Sequence, residues 1–221
     1  MTIVIQCAAS KRPHAGSLRT ADGRRVLFVA DPDAAPPDPD VTYARPDDTT
    51  DDGRTWRGNL VAYNEAGANT YGLLRAFELY ENPAYRQLVG QLGIENVYIL
   101  SAGWGLIRAD FLTPLYDITF SSAVKKSAPW KHRRRTDAYR DLSQIPETSQ
   151  DEVFFLGGKD YVPLFCDLTA GVAGIRTVLY NSDTPPRAPG CNLERFHTAT
   201  RTNWHYEAAR WLLTRPQTRQ A

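Results

Sequence analysis

Four short apolar runs punctuate the chain: 2–6 (Thr-Ile-Val-Ile-Gln), 96–100 (Asn-Val-Tyr-Ile-Leu), 152–156 (Glu-Val-Phe-Phe-Leu) and 177–180 (Thr-Val-Leu-Tyr). Each is too short for a helix and lies between polar or small residues, the pattern of a strand buried on both faces. Helical spacing occupies the intervals. Leu73, Leu74, Phe77 and Tyr80 recur at three to four residues and predict a helix over 66–79. Pro83 opens a second helix that carries Leu88, Val89 and Leu92 and stops at Gly93. Further helices are predicted over 136–142, 161–170 and 206–213. Strands alternating with helices predict an α/β fold: a single three-layer domain over 1–221, with a mostly parallel central sheet flanked by helices. Ligands of such sheets bind beyond the carboxyl ends of the strands.

Composition narrows the picture little. The chain has 221 residues, 42% of them hydrophobic and 23% charged, which excludes wholesale disorder. No apolar run approaches the roughly 20 residues of a membrane helix, and the N-terminus lacks the pattern of a secretory signal. Cys7, Cys166 and Cys191 are odd in number and at no metal-ligand spacing, so neither a disulfide framework nor a zinc site is expected. The expectation is a reduced cytoplasmic protein with no cofactor, no membrane association and no obligate protein partner.

Charge changes the picture more. Residues 31–52 hold eight Asp and one Arg, a net −7, leaving +8 on the remainder of a chain whose formal net charge is +1. Five prolines in the same stretch oppose a helix or a central strand. It reads as an acidic, Pro-rich surface insertion, with an extended hairpin formed by 26–30 and 41–44. The opposite sign gathers at 125–135, where Lys125, Lys126, Lys131, Arg133, Arg134 and Arg135 surround Trp130 and His132. No acid occurs from Ile118 to Thr136. Cations with an interleaved aromatic suit a polyanion, so 121–135 is the expected DNA-contacting segment. A solvated charged face is the plainer alternative.

The residues just beyond each strand are the candidate ligand contacts. Ser10 and Lys11 follow the first strand, Ser101, Gly103, Trp104 and Gly105 the second, Gly157, Gly158, Lys159, Asp160 and Tyr161 the third, and Asn181, Ser182 and Asp183 the fourth. The Gly-Gly-Lys turn can present backbone N–H groups to an anion, but it lacks the spacing of a phosphate loop. Its alternative role is a tight turn of positive φ.

Residues 100–117 carry the most informative pattern. A strand runs into Ser101-Ala-Gly-Trp-Gly-Leu-Ile107, followed by Pro114, Tyr116 and Asp117. This resembles the YaaA-like superfamily, whose members carry a strand, then Ser-(Ala/Gly)-x-x-Gly-Leu-(Leu/Ile), then Pro-x-Tyr. Cys7-Ala-Ala-Ser-Lys11 resembles the family's first-strand motif, and Phe155-Leu-Gly-Gly-Lys-Asp-Tyr161 its third landmark. The resemblance spans most of residues 1–170, and the acidic insertion and basic run depart from it. It implies a single α/β domain that binds or acts on DNA, nearest to the phage-defence DNA glycosylases that attack modified bases.

Glycosylase chemistry assigns roles to particular residues. Cleavage of an N-glycosidic bond builds positive charge on the sugar, which a carboxylate stabilises, and negative charge on the departing base. Asp117 and Glu65 are the candidate carboxylates. Tyr63 and Trp104 are candidate stacking faces for a flipped base, and Asn64 a reader of its edge. Ser10, Lys11, Ser101, Gly105, Tyr116, Gly158 and Lys159 complete the expected substrate contacts. The alternatives are a turn cap for Asp117, a helix N-terminal acid for Glu65, and core packing for Tyr63 and Trp104. Lys11 suits a phosphate contact better than Schiff-base chemistry, and His205 suits a cap or packing role. The expected substrate is double-stranded phage DNA with a modified base, glucosylated hydroxymethylcytosine being one candidate, in an antiviral role. The alternatives are a non-catalytic DNA-binding stress protein and a hydrolase or base transferase acting on nucleosides or nucleotides.

Overall fold

A computed structural model describes residues 1–215; the expected domain range extends to 216–221, which lie outside the described residues. Its strands are β1 (Thr2–Gln6), β2 (Arg25–Val29), β3 (Val41–Ala44), β4 (Leu74–Arg75), β5 (Val97–Ser101), β6 (Gly105–Arg108), β7 (Leu112–Thr113), β8 (Tyr116–Asp117), β9 (Leu142–Ser143), β10 (Val153–Leu156), β11 (Arg176–Tyr180) and β12 (Asn192–Arg195). Its helices are α1 (Trp56–Ala66), α2 (Ala76–Leu79), α3 (Ala84–Leu92), α4 (Val162–Leu168) and α5 (Trp204–Thr214). The main sheet has seven strands in the order β12-β11-β10-β1-β5-β6-β9. All its neighbours are parallel except β5 and β6, which are antiparallel.

The four apolar runs of the sequence are β1, β5, β10 and β11. β5 and β10 are buried along their whole length. Such strands have no solvent face, so they carry no polar alternation. The chain steps from β1 to β5 on one side and later from β10 to β11 on the other. Right-handed crossovers in opposite directions place α3 and α4 on opposite faces. The strand order therefore reverses beside β1, and that is where a crevice opens.

Three local expectations are corrected. The helix expected over 66–79 lies instead at α1. The Thr55 side chain accepts the Gly58 N–H at 3.0 Å and caps its start, and Gly67, at φ 70°, ends it. Gly72, at φ 61°, breaks the chain again, so only α2 remains of the expected helix. Residues 136–141 are a turn followed by irregular chain rather than a helix, and Leu142 enters the edge strand β9. The strands at 26–30 and 41–44 exist as β2 and β3, but they pair in parallel rather than as a hairpin. Residues 30–40 are too long and too rich in proline for a tight turn; they cross over instead, and β8 joins β2 from the other side. The acidic segment thus belongs to a second, three-stranded parallel sheet.

His205 packs in the core as the packing alternative expects. It is 3% exposed, with its ring 4.1 Å from that of Tyr206. Its Nε2 is buried without a partner, and burial pulls its pKa down to about 4. The unfolded chain therefore takes up this proton before the folded one. Stability should fall by about 3 kcal/mol as pH drops from roughly 6.5 to 4 on this account. Urea unfolding across that range is expected to show the loss in wild type and a shallower one in His205→Phe.

Candidate functional site

A cleft of about 720 Å³ opens beyond the carboxyl end of β1. That volume falls within the range of small-ligand sites. Its floor begins with Gln6, whose Oε1 accepts the Gly158 N–H at 2.6 Å and ties the turn after β10 to β1. Tyr85 donates to the Gln6 carbonyl at 2.8 Å from α3. The Cys7 N–H still reaches Leu100 O at 3.0 Å, so the chain leaves the sheet just above β5. Ser10 and Lys11 then form one wall.

Charged groups meet across this wall. Asp117, on β8, holds Lys131 Nζ at 2.5 Å. Lys11 Nζ stands 4.2 Å from the centre of the Tyr116 ring. Burial is the largest influence on the Lys11 amine and lowers its pKa; Cys7 and Asp117 act upward, and Lys131 downward. A network of hydroxyls lies beneath. Ser101 accepts the N–H groups of Gly103 and Trp104 and donates to the Tyr116 hydroxyl at 2.9 Å, which meets Tyr80 at 2.7 Å. Tyr161 meets Cys7 Sγ at 3.3 Å. Burial pushes the phenols of Tyr80, Tyr85, Tyr116 and Tyr161 well up, so the floor is neutral at physiological pH.

Of the residues expected from the sequence, Ser10, Lys11, Asp117 and Lys131 line the cleft, with Tyr116 and Ser101 beneath it. Others lie elsewhere. Glu65 lines a separate depression with Asn64, Arg75 and Arg108. The Asn64 amide is spent on the main chain, bonding Leu60 O, Leu112 O and Leu112 N at 2.7–3.0 Å, and it fastens α1 to β7. Tyr63 stacks on Tyr71 with ring centres 5.2 Å apart and bonds Asn69 through its hydroxyl. Trp104 is wholly buried, edge-on to Phe28, so it presents no stacking face. Gly105 is a packing requirement: at φ 85°, an added Cβ would stand 2.5 Å from Leu142 O. Gly158 has given its N–H to Gln6, and its φ is not positive. Lys159 lines a different groove.

The sequence reading missed Gln6, Thr119 and Tyr206 in this cleft. Gln6 ends the first strand and was legible by the same rule that selected Ser10. Thr119 lies two residues past the motif that holds Asp117, whereas Tyr206 arrives from a distant helix with no motif to mark it.

The basic run divides. Lys125, Lys126, Arg134 and Arg135 are exposed, and Arg135 pairs with Asp160 at 3.3 Å. Lys125, His132 and Arg134 share a depression of about 780 Å³ with Arg45, Asp31 and Tyr139. Burial lowers the His132 pKa, and the Lys125 charge acts in the same direction. Trp130 is half-buried, and its carbonyl accepts from the N–H groups of Ala30 and Asp31 at 2.8 and 2.9 Å. Arg133 departs from the expected DNA contact. It is 5% exposed, forks onto Asp141, donates to Ala102 O at 2.7 Å and covers the Tyr139 ring.

No helix among the described residues is long and apolar enough to cross a membrane. Among the same residues, no group of three or more His, Cys, Asp or Glu side chains is placed to hold a metal ion. No family model, curated protein or solved structure matches this chain.

The inward turn of Arg133 has a measurable consequence. Arg133→Ala strands Asp141 and should cost about 3–5 kcal/mol in urea unfolding. Arg134→Ala, on the exposed side of the same run, should stay within about 0.5 kcal/mol. Equal effects would contradict the division of the run.

Proposed function

We propose that the chain is a DNA glycosylase that excises a modified base from foreign DNA by hydrolysing its N-glycosidic bond. The observation that carries this reading is Asp117, set in a nucleotide-sized cleft and facing two lysines over a floor of neutral phenols. A carboxylate there stabilises the positive charge that develops on the sugar and orients the attacking water. Lys11 lies on the same side and supplies positive charge to the departing base. Tyr161 and Tyr206 line the cleft and take over the aromatic role first sought in Trp104 and Tyr63. Glu65 drops out as second carboxylate, since it lines another depression.

The target base must leave the helix to reach this depth. Lys125, Lys126 and Arg134 are the exposed cations that would hold the flanking phosphates. The resemblance of the Cys7–Lys11, Ser101–Ile107 and Phe155–Tyr161 motifs to the YaaA-like superfamily favours DNA as the substrate and antiviral defence as the role. This reading places the protein in the cytoplasm, where incoming DNA arrives. A second reading, an enzyme on free nucleosides or nucleotides, draws on the withdrawal of Arg133 and Lys131 from the basic run.

The test is incubation with modified phage DNA, unmodified DNA and free nucleosides, with released bases read by mass spectrometry. Wild type is expected to release a modified base from DNA, and Asp117→Asn to lose about 10²–10³-fold in rate. Undiminished release by Asp117→Asn would remove the assigned role of that carboxylate. Release from nucleosides alone would favour the second reading. Tight, salt-sensitive binding without release from any DNA would leave a non-catalytic binding protein. In the binding assay, Arg134→Ala should reduce the dependence of log affinity on log salt by about 0.9.

A further inference from the structure

Two of the three cysteines stand together, outside the cleft lining and in no part of the proposed reaction. Cys166 Sγ, on α4, lies 3.8 Å from Cys191 Sγ, just ahead of β12. The backbone that carries them is built to hold this approach. Arg176 of β11 reaches the Cys166 carbonyl at 3.4 Å and Thr169 Oγ1 at 3.3 Å with one nitrogen, and the Gly190 carbonyl at 3.0 Å with the other. One guanidinium therefore ties the end of α4 to the turn before Cys191. Gly190 makes that turn at φ 71°, and a Cβ there would stand 2.5 Å from the Arg176 nitrogen. Both thiols are free.

We propose that Cys166 and Cys191 are a redox-active dithiol that closes to an intramolecular disulfide by exchange with a low-molecular-weight disulfide. Cys191 is the attacking group. It is partly exposed, whereas Cys166 is 4% exposed. The contact with Cys166, with Arg176 nearby, brings the Cys191 thiol down to about 7. The same contact pushes Cys166 up, so the first proton leaves Cys191.

The Cys191 thiolate attacks one sulfur of the external disulfide, whose S–S bond breaks and releases one thiolate. Cys166 then loses its proton to solvent and attacks the Cys191 sulfur, expelling the second thiolate. The dithiol loses two electrons and the external disulfide gains them. The sulfurs must close from 3.8 Å to about 2.05 Å. Cys166 shares a groove with Lys159, Arg135 and Arg187 against one acid, Asp167, and this net positive lining favours an anionic disulfide such as oxidised glutathione.

The full chain, reduced and desalted, is incubated with oxidised glutathione and digested without reduction. The expected product is one cross-linked peptide pair joining Cys166 to Cys191, two hydrogens lost from the intact mass, and Cys7 still open to alkylation after unfolding. The oxidised chain should melt about 5–10 °C higher than the reduced one. In Cys166→Ser, glutathione should remain on Cys191 as a stable adduct. The proposal is overturned if both thiols of the wild-type chain stay alkylatable, if Cys191 keeps its glutathione, or if the bridge forms to Cys7 or between chains. The wild-type measurement decides alone, so a poorly folding serine variant leaves no gap.

Discussion

Three successive carbonyls, those of Ala102, Gly103 and Trp104, point at two buried guanidinium groups. Arg133 takes the first and Arg57 the other two. Each arginine is balanced by its own carboxylate, Asp141 for Arg133 and Asp47 for Arg57. Carbonyls turned into an apolar interior need donors, because an unpaired buried acceptor costs about 1–3 kcal/mol. The clamp meets that need and fixes the loop after β5. That loop sets Ser101, which sets Tyr116, over whose ring Lys11 stands. The wall of the cleft thus hangs on two ion pairs that lie outside its lining.

Those pairs join regions the sequence presents as opposites. Asp47 belongs to the acidic stretch and Arg133 to the basic run. Asp47 also accepts the Arg140 N–H at 3.0 Å, beside the Arg133 partner Asp141, so the two pairs meet over one loop. Burial raises the Asp47 carboxyl, but its bonds from Arg57 and Arg140 outweigh that and hold it below the usual carboxylate range. The stabilisation this gives is present above the unfolded carboxylate's pKa and disappears as pH falls through the folded one. A charge run read from sequence is a count of side chains. Which of them face solvent depends on contacts across a hundred residues, and here the two ends of the charge scale were drawn inward together.

What was legible follows from how each signal is encoded. β1, β5, β10 and β11 were readable because a strand buried on both faces is written locally as an apolar run. α3 was readable through Pro83 and Gly93, residues whose backbone geometry bounds a helix. β6, β9 and β12 carry no such run, since an edge or a short antiparallel return depends on its neighbour. The edge rule found Ser10, Lys11 and Ser101 because they directly follow strands. Asp117 was found through its motif. Glu65, Asn64 and Tyr63 failed because they lie in the last turn of α1 rather than at a helix start, so Glu65 is no N-terminal acid either; Asn64 proved to be a main-chain bridge. Tyr206 was invisible for the converse reason, since its place in the cleft is set by how α5 lies against α3.

The charges of the cleft carry one more consequence. Lys11 and Lys131 share the cleft lining with two carboxylates, Asp117 and Glu81, over a floor of neutral, buried phenols. A floor that cannot ionise offers no counter-charge, and burial weakens the hold of Lys11 on its own proton. An anionic group entering beside Lys11 would restore that hold and would compete with Asp117 for Lys131. Binding of an anion there would loosen the Asp117–Lys131 pair. On the proposed reading, the Lys131 that pairs with Asp117 is the same cation an entering phosphate would contact, so the two acids of the lining and the substrate would compete for the two lysines.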